Sequence, residues 1–446
     1  MNTPIADFVR SYASSDVSRL HMPGHKGRAV LGCENFDITE IAGADSLYEA
    51  DGIIARSEEN AAALFGSQKT LYATGGSSQC IRAMLYLLIT LRPRKSRPVI
   101  LAARNVHKSF IHAAALIGFD VEWLLPEGER TSLCACPVSP AALVKALGST
   151  DTPPAAVYLT SPDYLGGLQD IKSIAKICHD RGVRLAVDNA HGAYLHFCEP
   201  PMHPLDLGAD ICCDSAHKTL PVLTGGAYLH LGSRLPAEFG EKAREALSLF
   251  GSTSPSYLTL CSLDLCNAEL ESGYRAELER TIAGIDGFCT RLQERGWKLT
   301  HDEPLKVTVH ASLCGLSGHE AARRLRDGGV EMEYTDSDDV VLMISPMNRE
   351  KDLERVLEAI GEPGGPDVKR MPLPMGAGAQ VMSIRGAFFA SRETVPVREA
   401  LGRICAVPTV SCPPAIPIAV SGEVITEDAV RLFEYYGAET VEVVRL

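Results

Sequence analysis

Short apolar segments alternate with segments of helical periodicity from about residue 57 to residue 235. Their spacing is that of repeated strand and helix units. The apolar segments are hydrophobic on both alternating faces, which is typical of strands covered by helices on both sides of a sheet. The pattern therefore predicts an α/β domain with a mostly parallel sheet and functional groups at the carboxyl ends of its strands. The predicted strands are 99–103, 121–125, 156–160, 184–188 and 211–213.

The pattern changes near Leu260, where longer helical periodicity replaces the strand and helix alternation. This change predicts a smaller α+β domain. The elements predicted there are a helix from about Leu260 to Leu292, a strand over 306–309, a helix opened by a capping box at Ser317, and a strand over 340–344.

The glycine- and proline-rich segment Glu362–Pro366 predicts a boundary before a further segment with its own apolar runs. We therefore predict four parts. They are an N-terminal arm (1–56), a large cofactor-binding α/β domain (57–260), a small α+β domain (261–361) and a C-terminal domain (367–446).

Lys218 follows a predicted buried strand and lies among the hydroxyl and imidazole groups of the segment Asp214–Thr219. An exposed lysine is protonated near neutral pH and cannot attack an aldehyde. A lysine withdrawn from water beside a histidine can lose its proton and form a Schiff base. Lys218 is therefore the candidate anchor for pyridoxal phosphate, and a solvated loop lysine is the alternative.

Asp188 ends another predicted strand and is followed by the segment Asn189–Gly192. A carboxylate there can hold a pyridine nitrogen protonated, so that the ring accepts the electron pair released when a bond to the substrate Cα breaks. An aspartate after a strand is also a common helix cap or turn residue. One predicted strand ends in Asp188, and the next is followed closely by the Ser-x-His-Lys segment of Lys218. This order favours the cofactor role.

Two further segments begin predicted helices with polar groups. Glycines and hydroxyls in Thr74–Ser78 precede an apolar helical segment, where backbone N–H groups and the helix dipole favour a phosphate. Ordinary helix capping is the alternative, and the segment has neither the Walker nor the dinucleotide glycine pattern. His107 could stack on a cofactor ring, or could simply be a satisfied histidine at a helix start.

Composition narrows the class of protein. With 446 residues and 46% hydrophobic content, the chain can bury a large core in two or three domains. Its formal net charge of −13 argues against nucleic acid or an anionic membrane as partner and suits a small cationic substrate. We find no secretory signal pattern and no apolar run long enough to span a bilayer, so we predict a cytoplasmic protein.

Fourteen cysteines are spread through the chain, several of them in apolar strands. Buried reduced thiols explain this distribution better than a disulfide scaffold does. The spacings of Cys134 with Cys136 and of Cys261 with Cys266 do not match a zinc site, and we predict no metal.

Seven short motifs are spread over nearly the whole chain. They are His21–Gly27, Asp45–Glu49, Arg104–Ser109, Asp188–Gly192, Ser215–Leu220, Ser252–Tyr257 and Pro413–Pro417. Together they resemble the fold-type-I pyridoxal-phosphate decarboxylases of ornithine, lysine and arginine, most closely the short bacterial arginine-decarboxylase-like branch without an N-terminal wing domain. The resemblance implies an aspartate-aminotransferase-like (fold type I) PLP-dependent transferase fold, with a smaller α+β domain and a C-terminal domain.

The resemblance also implies roles for individual residues. Lys218 would bind the cofactor covalently, Asp188 would pair with its pyridine nitrogen, and His107 would stack on its ring. The other cofactor contacts that it implies within the chain are Ser77, Ser78, Ala190, Ser215 and His217. His217 would also lie near the proton delivered after CO2 leaves. Thr253 or Ser254 would reach the phosphate in a neighbouring subunit, which implies a homodimer or a larger homo-oligomer.

A carboxylate is needed to bind the distal guanidinium or ammonium of a basic amino acid. Glu423 is the candidate, with Glu49 and Asp51 behind it, and a surface glutamate is the alternative for Glu423. The family's usual residues are replaced at Ala415 and Ser421, close to this segment. These departures leave the identity of the substrate open.

The predicted function is therefore PLP-dependent decarboxylation of arginine, lysine or ornithine to CO2 and the corresponding polyamine-pathway amine. Fold and cofactor do not fix which Cα bond breaks, so transamination or carbon–carbon lysis is the first alternative. A non-catalytic PLP-binding protein is the second alternative, which the presence of both Lys218 and Asp188 disfavours.

Overall fold

The computed structural model describes residues 1–92, 97–149, 153–365, 370, 372–374, 377–409 and 414–445. Three sequence predictions fall partly outside these ranges. Pro366 at the end of the predicted boundary, Pro413 in the last motif and the first residues of the predicted C-terminal domain lie outside the described residues.

The regular elements are numbered here in chain order. The helices are α1 Pro4–Ala13, α2 Ile53–Leu64, α3 Gly76–Thr90, α4 Lys108–Ala113, α5 Pro140–Gly148, α6 Ile171–Asp180, α7 Ala216–Thr219, α8 Ala237–Ser248, α9 Tyr257–Glu271, α10 Tyr274–Glu294, α11 Gly318–Asp327, α12 Glu350–Ile360, α13 Ile384–Phe388 and α14 Glu427–Tyr435. The strands are β1 Lys69–Ala73, β2 Val99–Ala103, β3 Asp120–Leu124, β4 Ala156–Thr160, β5 Arg184–Asp188, β6 Ile211–Asp214, β7 Ala227–Leu231, β8 Leu299–Thr300, β9 Lys306–Val309, β10 Tyr334–Thr335, β11 Val340–Met343, β12 Arg392–Pro396, β13 Cys405–Val407 and β14 Thr440–Val444.

The chain divides into two compact units, which are described separately. The first unit is built from Met1–Pro93, Ala155–Val157 and Ile171–Leu278. The second is built from Arg94–Pro154, Tyr158–Asp170 and Glu279–Leu446. The bounds of the four parts given above stay predictions.

In the first unit, neighbouring strands follow the order β1, β7, β6, β5. Strands β5 and β6 run parallel, whereas β7 runs antiparallel to both β6 and β1. Apolar side chains fill these strands, and every residue of β6 and β7 is buried. Helix α3 packs on β6 and β7, and Cys80, Met84 and Leu88, which recur every four residues on one helical face, are buried. The carboxyl ends of β5 and β6 therefore lie side by side at one edge of the sheet.

The second unit contains the parallel pair β2 and β3 and two antiparallel sheets. The antiparallel sheets have the strand orders β10, β11, β9, β8 and β12, β14, β13. Helix α11 begins at the predicted capping residue: Ser317 Oγ accepts a hydrogen bond from the backbone N–H of Glu320 at 3.1 Å. The predicted strand over 306–309 is confirmed.

Two sequence predictions differ from the structure. The single long helix predicted from Leu260 to Leu292 is two helices, because Gly273 has φ of +120° and interrupts helical hydrogen bonding between α9 and α10. Strand β3 was predicted to be buried on both faces, but only Leu124 of its five residues is buried. The apolar side chains of β3 therefore belong to a strand that is only partly covered.

The described cysteines are all free thiols, and all of them except Cys33 and Cys261 are buried. Burial raises the pKa of such thiols, as at Cys178, where the pKa rises to about 12. A thiol with so high a pKa is protonated and unreactive near neutral pH. The prediction of buried thiols is confirmed for the described cysteines other than Cys33 and Cys261.

The longest helix of the described chain, α10, has 21 residues and carries several arginines and glutamates. Throughout the described ranges, no helix combines the length and the apolar character needed to cross a membrane.

Candidate active site

Lys218 lies on the short helix α7, immediately after the buried strand β6. Its side chain is partly buried, and its Nζ atom lies 2.9 Å from Nε2 of His191. This contact gives the amine an imidazole partner that can hold a proton. The placement predicted for Lys218, a lysine withdrawn from bulk water beside a histidine, is present, but the histidine is His191 rather than the neighbouring His217.

Asp188 is the last residue of β5 and is only 2% exposed. In the parallel pairing of β5 with β6, Asp188 is opposite Cys213, five residues before Lys218. Its Oδ1 atom accepts a hydrogen bond from the backbone N–H of Ala190 at 3.2 Å. Because His191 follows Ala190, one short turn carries both the buried carboxylate and the imidazole that contacts Lys218.

The polar groups predicted to bind phosphate surround the first turn of α3. Ser215 Oγ donates a hydrogen bond to Ser77 Oγ at 2.7 Å, and Ser78 lies in the same turn. His217 Nδ1 lies 2.9 Å from the carbonyl oxygen of Gly226, which fixes the proton on Nδ1 and leaves Nε2 as the remaining ring nitrogen. Hydroxyls, an imidazole and a helix N-terminus thus meet at one place, which suits an anion.

The glycine-rich return before β7 approaches this turn closely. Gly225 has φ of +97°, and a Cβ atom there would lie 2.7 Å from the carbonyl oxygen of Thr74. The carbonyl of Gly225 accepts a hydrogen bond from the N–H of Gly76 at 2.8 Å. Only glycine permits this approach at Gly225, because a side chain would collide with the backbone.

Gln79 also binds the turn before α3, and it was not identified from the sequence. Its Oε1 atom accepts a hydrogen bond from the N–H of Gly75 at 3.1 Å. Its Nε2 atom donates to Tyr48 Oη at 2.9 Å and to the carbonyl of Leu247 at 3.0 Å. The only sequence signal was the position of Tyr48 in the motif Asp45–Glu49.

His107 belongs to the second unit and caps helix α4. Its Nδ1 atom accepts a hydrogen bond from the backbone N–H of Ser109 at 3.2 Å. The alternative of a histidine satisfied at a helix start is therefore confirmed for Nδ1. The cap uses Nδ1 of the ring, and the stacking role of His107 stays a prediction.

Glu423, also in the second unit, is 1% exposed. Its Oε2 atom pairs with Nη2 of Arg104 at 2.8 Å and accepts the N–H of Val420 at 2.8 Å. Burial raises the pKa of Glu423, and the nearby Arg104 charge opposes this effect. The alternative of a surface glutamate is wrong, whereas the substrate-binding role stays a prediction. No local sequence pattern points to the Arg104 partner, which is 319 residues away.

The remaining predicted residues occupy the first unit. Ala190 is 8% exposed, next to the Asp188 carboxylate. Thr253 and Ser254 are exposed in the loop between α8 and α9. Glu49 and Asp51 are exposed as well, and Glu49 accepts a hydrogen bond from Ser46 Oγ at 2.6 Å. Their roles toward substrate or a neighbouring subunit stay predictions.

Solved structures share this fold. A lysine decarboxylase from Francisella novicida superposes with a TM-score of 0.79 at 18% identity, covering 99% of this chain and 79% of that chain. An alanine–glyoxylate aminotransferase from Nostoc sp. superposes with a TM-score of 0.54 at 17% identity, covering 69% of this chain and 85% of that chain. The chain therefore has the predicted fold of the aspartate-aminotransferase-like (fold type I) enzymes.

Family models identify the chain more closely. The model "Orn/Lys/Arg decarboxylase, major domain" matches residues 3–308, and the model "Orn/Lys/Arg decarboxylase, C-terminal domain" matches residues 379–441. The chain belongs to the Orn/Lys/Arg decarboxylase family and is an amino-acid decarboxylase.

Curated relatives match along almost the entire chain. The arginine decarboxylase of Bacillus subtilis (strain 168) is 29% identical over 462 residues, which cover 96% of this chain and 92% of that protein. The arginine decarboxylase of Halalkalibacterium halodurans is 29% identical over 458 residues, covering 95% of this chain and 91% of that protein.

Proposed function

We propose that the protein catalyses the PLP-dependent decarboxylation of a basic amino acid to CO2 and the corresponding polyamine-pathway amine. The observation that carries the proposal is the contact between Lys218 Nζ and His191 Nε2, beside the buried carboxylate of Asp188. Arginine is the first substrate to test, because the relatives named above are arginine decarboxylases. Lysine and ornithine are the other two candidates.

The groups of the first unit fit pyridoxal phosphate. Lys218 supplies an amine for its aldehyde, and Asp188 supplies a buried carboxylate for its pyridine nitrogen. The turn at Ser77 supplies hydroxyl donors at the start of α3, whose N-cap residue Gly75 gives the helix no side-chain cap. Helix N–H groups that lack a capping side chain favour a phosphate.

When bound, PLP supplies an aldehyde that amines attack and a ring that takes up the electron pair left by departing CO2. Within the chain, His191 accepts a proton from Lys218 and so keeps the amine nucleophilic. Asp188 would hold the pyridine nitrogen of the bound cofactor protonated, because a buried anion interacts strongly with a cation at short range. His217 is held through Nδ1 by the carbonyl of Gly226, and its other ring nitrogen, Nε2, would carry the proton delivered after CO2 leaves.

Removing the imidazole next to Lys218 should slow the attachment of the cofactor. In His191→Leu the amine loses its proton acceptor, so we expect PLP incorporation into the cofactor-free protein to slow roughly 100-fold at neutral pH. Raising the pH should restore much of the rate, because hydroxide then deprotonates Lys218. Stopped-flow absorbance measured across the pH range would test this, with His196→Leu as a control. A pH profile like that of the original protein would rule out a role for His191.

Replacing Glu423 tests how the distal cation is bound. A charge-assisted contact contributes roughly 1.5–3 kcal/mol, so Glu423→Gln should lower kcat/KM for the best substrate by about tenfold or more. The matched control is Arg104→Gln, which breaks the same buried ion pair but keeps the carboxylate. Losses of kcat/KM that are equal in both variants and follow their melting temperatures would show that Glu423 only stabilises the fold.

We further propose a cytoplasmic homodimer or larger homo-oligomer. The free, buried thiols suit a reducing compartment. In the first unit, Leu20, Val30 and Leu31 are 93%, 83% and 87% exposed, and exposed apolar side chains in one segment favour an interface with a second copy. Sedimentation of the PLP-loaded protein should give at least a dimer. A fully active monomer would contradict this part of the proposal and the role of Thr253.

The function itself is tested by incubating purified protein and PLP with a panel of amino acids and identifying CO2 and the amine together. Equal amounts of both from arginine, lysine or ornithine are expected. A keto acid would indicate transamination, and a shortened carbon skeleton would indicate carbon–carbon lysis. Failure to bind PLP would overturn the proposed cofactor, whereas bound PLP without turnover of any amino acid would favour a non-catalytic binding protein.

A further inference from the structure

Behind Lys218, Asp214 is the centre of a buried cluster in which two histidines face one carboxylate. His203 Nε2 lies 3.0 Å from Asp214 Oδ2, and His230 Nε2 lies 3.1 Å from the same oxygen. All three side chains are 0% exposed. Asn189 Nδ2 donates a third hydrogen bond, to Asp214 Oδ1, at 2.7 Å. Neither His203 nor His230 was identified as functional from the sequence.

The hydrogen bonds fix where the protons lie. His203 Nδ1 accepts a hydrogen bond from the backbone N–H of Leu205 at 3.3 Å, so its proton must be on Nε2 and point at Asp214. His230 Nδ1 faces the hydroxyl of Thr70 at 2.8 Å, a group that can donate. Both imidazoles therefore donate to Asp214 through Nε2.

The electrostatics agree with this arrangement. Burial alone would raise the pKa of Asp214, but the adjacent His203 and His230 outweigh burial and the pKa is lowered. Burial lowers the pKa of His230 despite the opposing effect of Asp214. The carboxylate is thus ionised and compensated by three N–H donors. A buried carboxylate with such a set of donors is held in one orientation.

The same three residues have the composition of a metal site, but the proton positions argue against that use. A metal would require the lone pair of His203 on Nε2 and hence a proton on Nδ1. Nδ1 of His203 already faces the N–H of Leu205, which must donate. A metal at Nε2 would leave two N–H groups pointing at one another.

The position of the cluster connects the two groups that carry the chemistry. Asp214 ends β6 and leads through Ser215 into the helix of Lys218. Asn189 follows Asp188 directly, at the end of β5. The hydrogen bond from Asn189 to Asp214 therefore links the turn of the pyridine-binding carboxylate to the turn of the lysine, and His203 and His230 fix the orientation of the shared oxygen atoms.

We propose that His203, Asp214 and His230 form a positioning network that holds the Asp188 turn and the Lys218 turn in register. The inference rests on the proposed function only in giving those turns their chemical roles. The network itself acts in the protein with or without cofactor. What the network requires at residue 203 is an N–H donor at the position of Nε2, and an imidazole ring is not required for its own sake.

The test compares His203→Gln with His203→Leu. Glutamine places an amide N–H close to the position of Nε2 and keeps the donor, whereas leucine fills the space without one. In the cofactor-free protein, His203→Leu should speed amide hydrogen exchange in peptides covering 188–192 and 214–219, measured by mass spectrometry. His203→Gln should leave that exchange close to the original.

In the PLP-loaded enzyme, His203→Leu should lower kcat by roughly ten- to 100-fold with little change in KM, because the reacting groups lose alignment rather than substrate contacts. Glutamine should restore most of the rate. If His203→Leu does not fold, Asn189→Ala removes one donor without changing a histidine and should speed exchange in 188–192.

Exchange rates equal to those of the unsubstituted protein, in a folded His203→Leu or in Asn189→Ala, would overturn the proposal. Equal effects of leucine and glutamine would do so as well, since they would show that packing rather than the donor matters. Because exchange is measured without cofactor or turnover, a protein that decarboxylates nothing could still show the expected pattern. Failure of the proposed function and failure of the network are therefore distinguishable.

Discussion

Replacing Lys218 by alanine is expected to abolish turnover and the visible absorbance of the bound cofactor. The structure places the amine of Lys218 next to His191. Helix α7 carries no other lysine that could replace this amine in Lys218→Ala. Removal of a catalytic nucleophile lowers rates by several orders of magnitude, so we expect a loss of roughly 10⁴-fold or more. Absorbance spectra and amine production would measure the two effects separately.

Lys176→Ala is the matched control, because Lys176 is 75% exposed on helix α6 and pairs with Asp180 on the same helix. This variant should keep both absorbance and activity. Borohydride reduction of the PLP-loaded protein, followed by peptide mapping, should place the cofactor on Lys218. A label on another lysine would refute the central site assignment.

Asp188→Asn should retain the cofactor but decarboxylate very slowly. The amide keeps the oxygen that accepts the N–H of Ala190, so the turn should stay in place. It cannot stabilise the proton on the pyridine nitrogen, and the electron pair left by CO2 loses its acceptor. Electrostatic groups aimed at developing charge contribute large factors, and we expect a loss of roughly 10²- to 10³-fold in kcat.

Single-turnover experiments would separate cofactor binding from CO2 release in this variant. Asp180→Asn, which neutralises an exposed carboxylate on α6, is the control and should behave like the original protein. Near-normal CO2 release from a folded Asp188→Asn would show that Asp188 is only a turn residue.

Strands β5 and β6 of the first unit could be predicted because their own sequence carries the signal, whereas β1 and β7 were not predicted. The strand predicted over 184–188 is confirmed as β5, and that over 211–213 is one residue shorter than β6. Both are apolar on each face, so burial is fixed locally. Gly273 shows the limit of such patterns: the helical periodicity continues across it, but its positive φ ends the helix.

The positions of Asp188 at the end of one strand and of Lys218 just after another could be predicted from the sequence. Their partners could not, because contacts depend on strand pairing. His191 is 27 residues from Lys218, and His203 is 11 residues from Asp214. Nothing in the local pattern distinguishes His203 from other loop histidines until the fold brings it to the carboxylate.

Glu423 is a candidate whose partner likewise could not be predicted from the sequence. The sequence offered Glu423 as the candidate carboxylate for the substrate, and the structure pairs that carboxylate with Arg104, 319 residues away. A buried ion pair is costly to break, because the remaining charge lacks compensation. The substrate prediction for Glu423 therefore has to be measured against the stability of the Arg104 variant.

The most direct test of the central claim follows the Cα bond that breaks. The PLP-loaded protein would be incubated in D2O with whichever of arginine, lysine or ornithine it turns over best, labelled with ¹³C in its carboxyl group. Decarboxylation predicts one labelled CO2 and one amine carrying a single deuteron on carbon for each amino acid consumed. Label retained in a keto acid, or in any product other than CO2, would contradict the account.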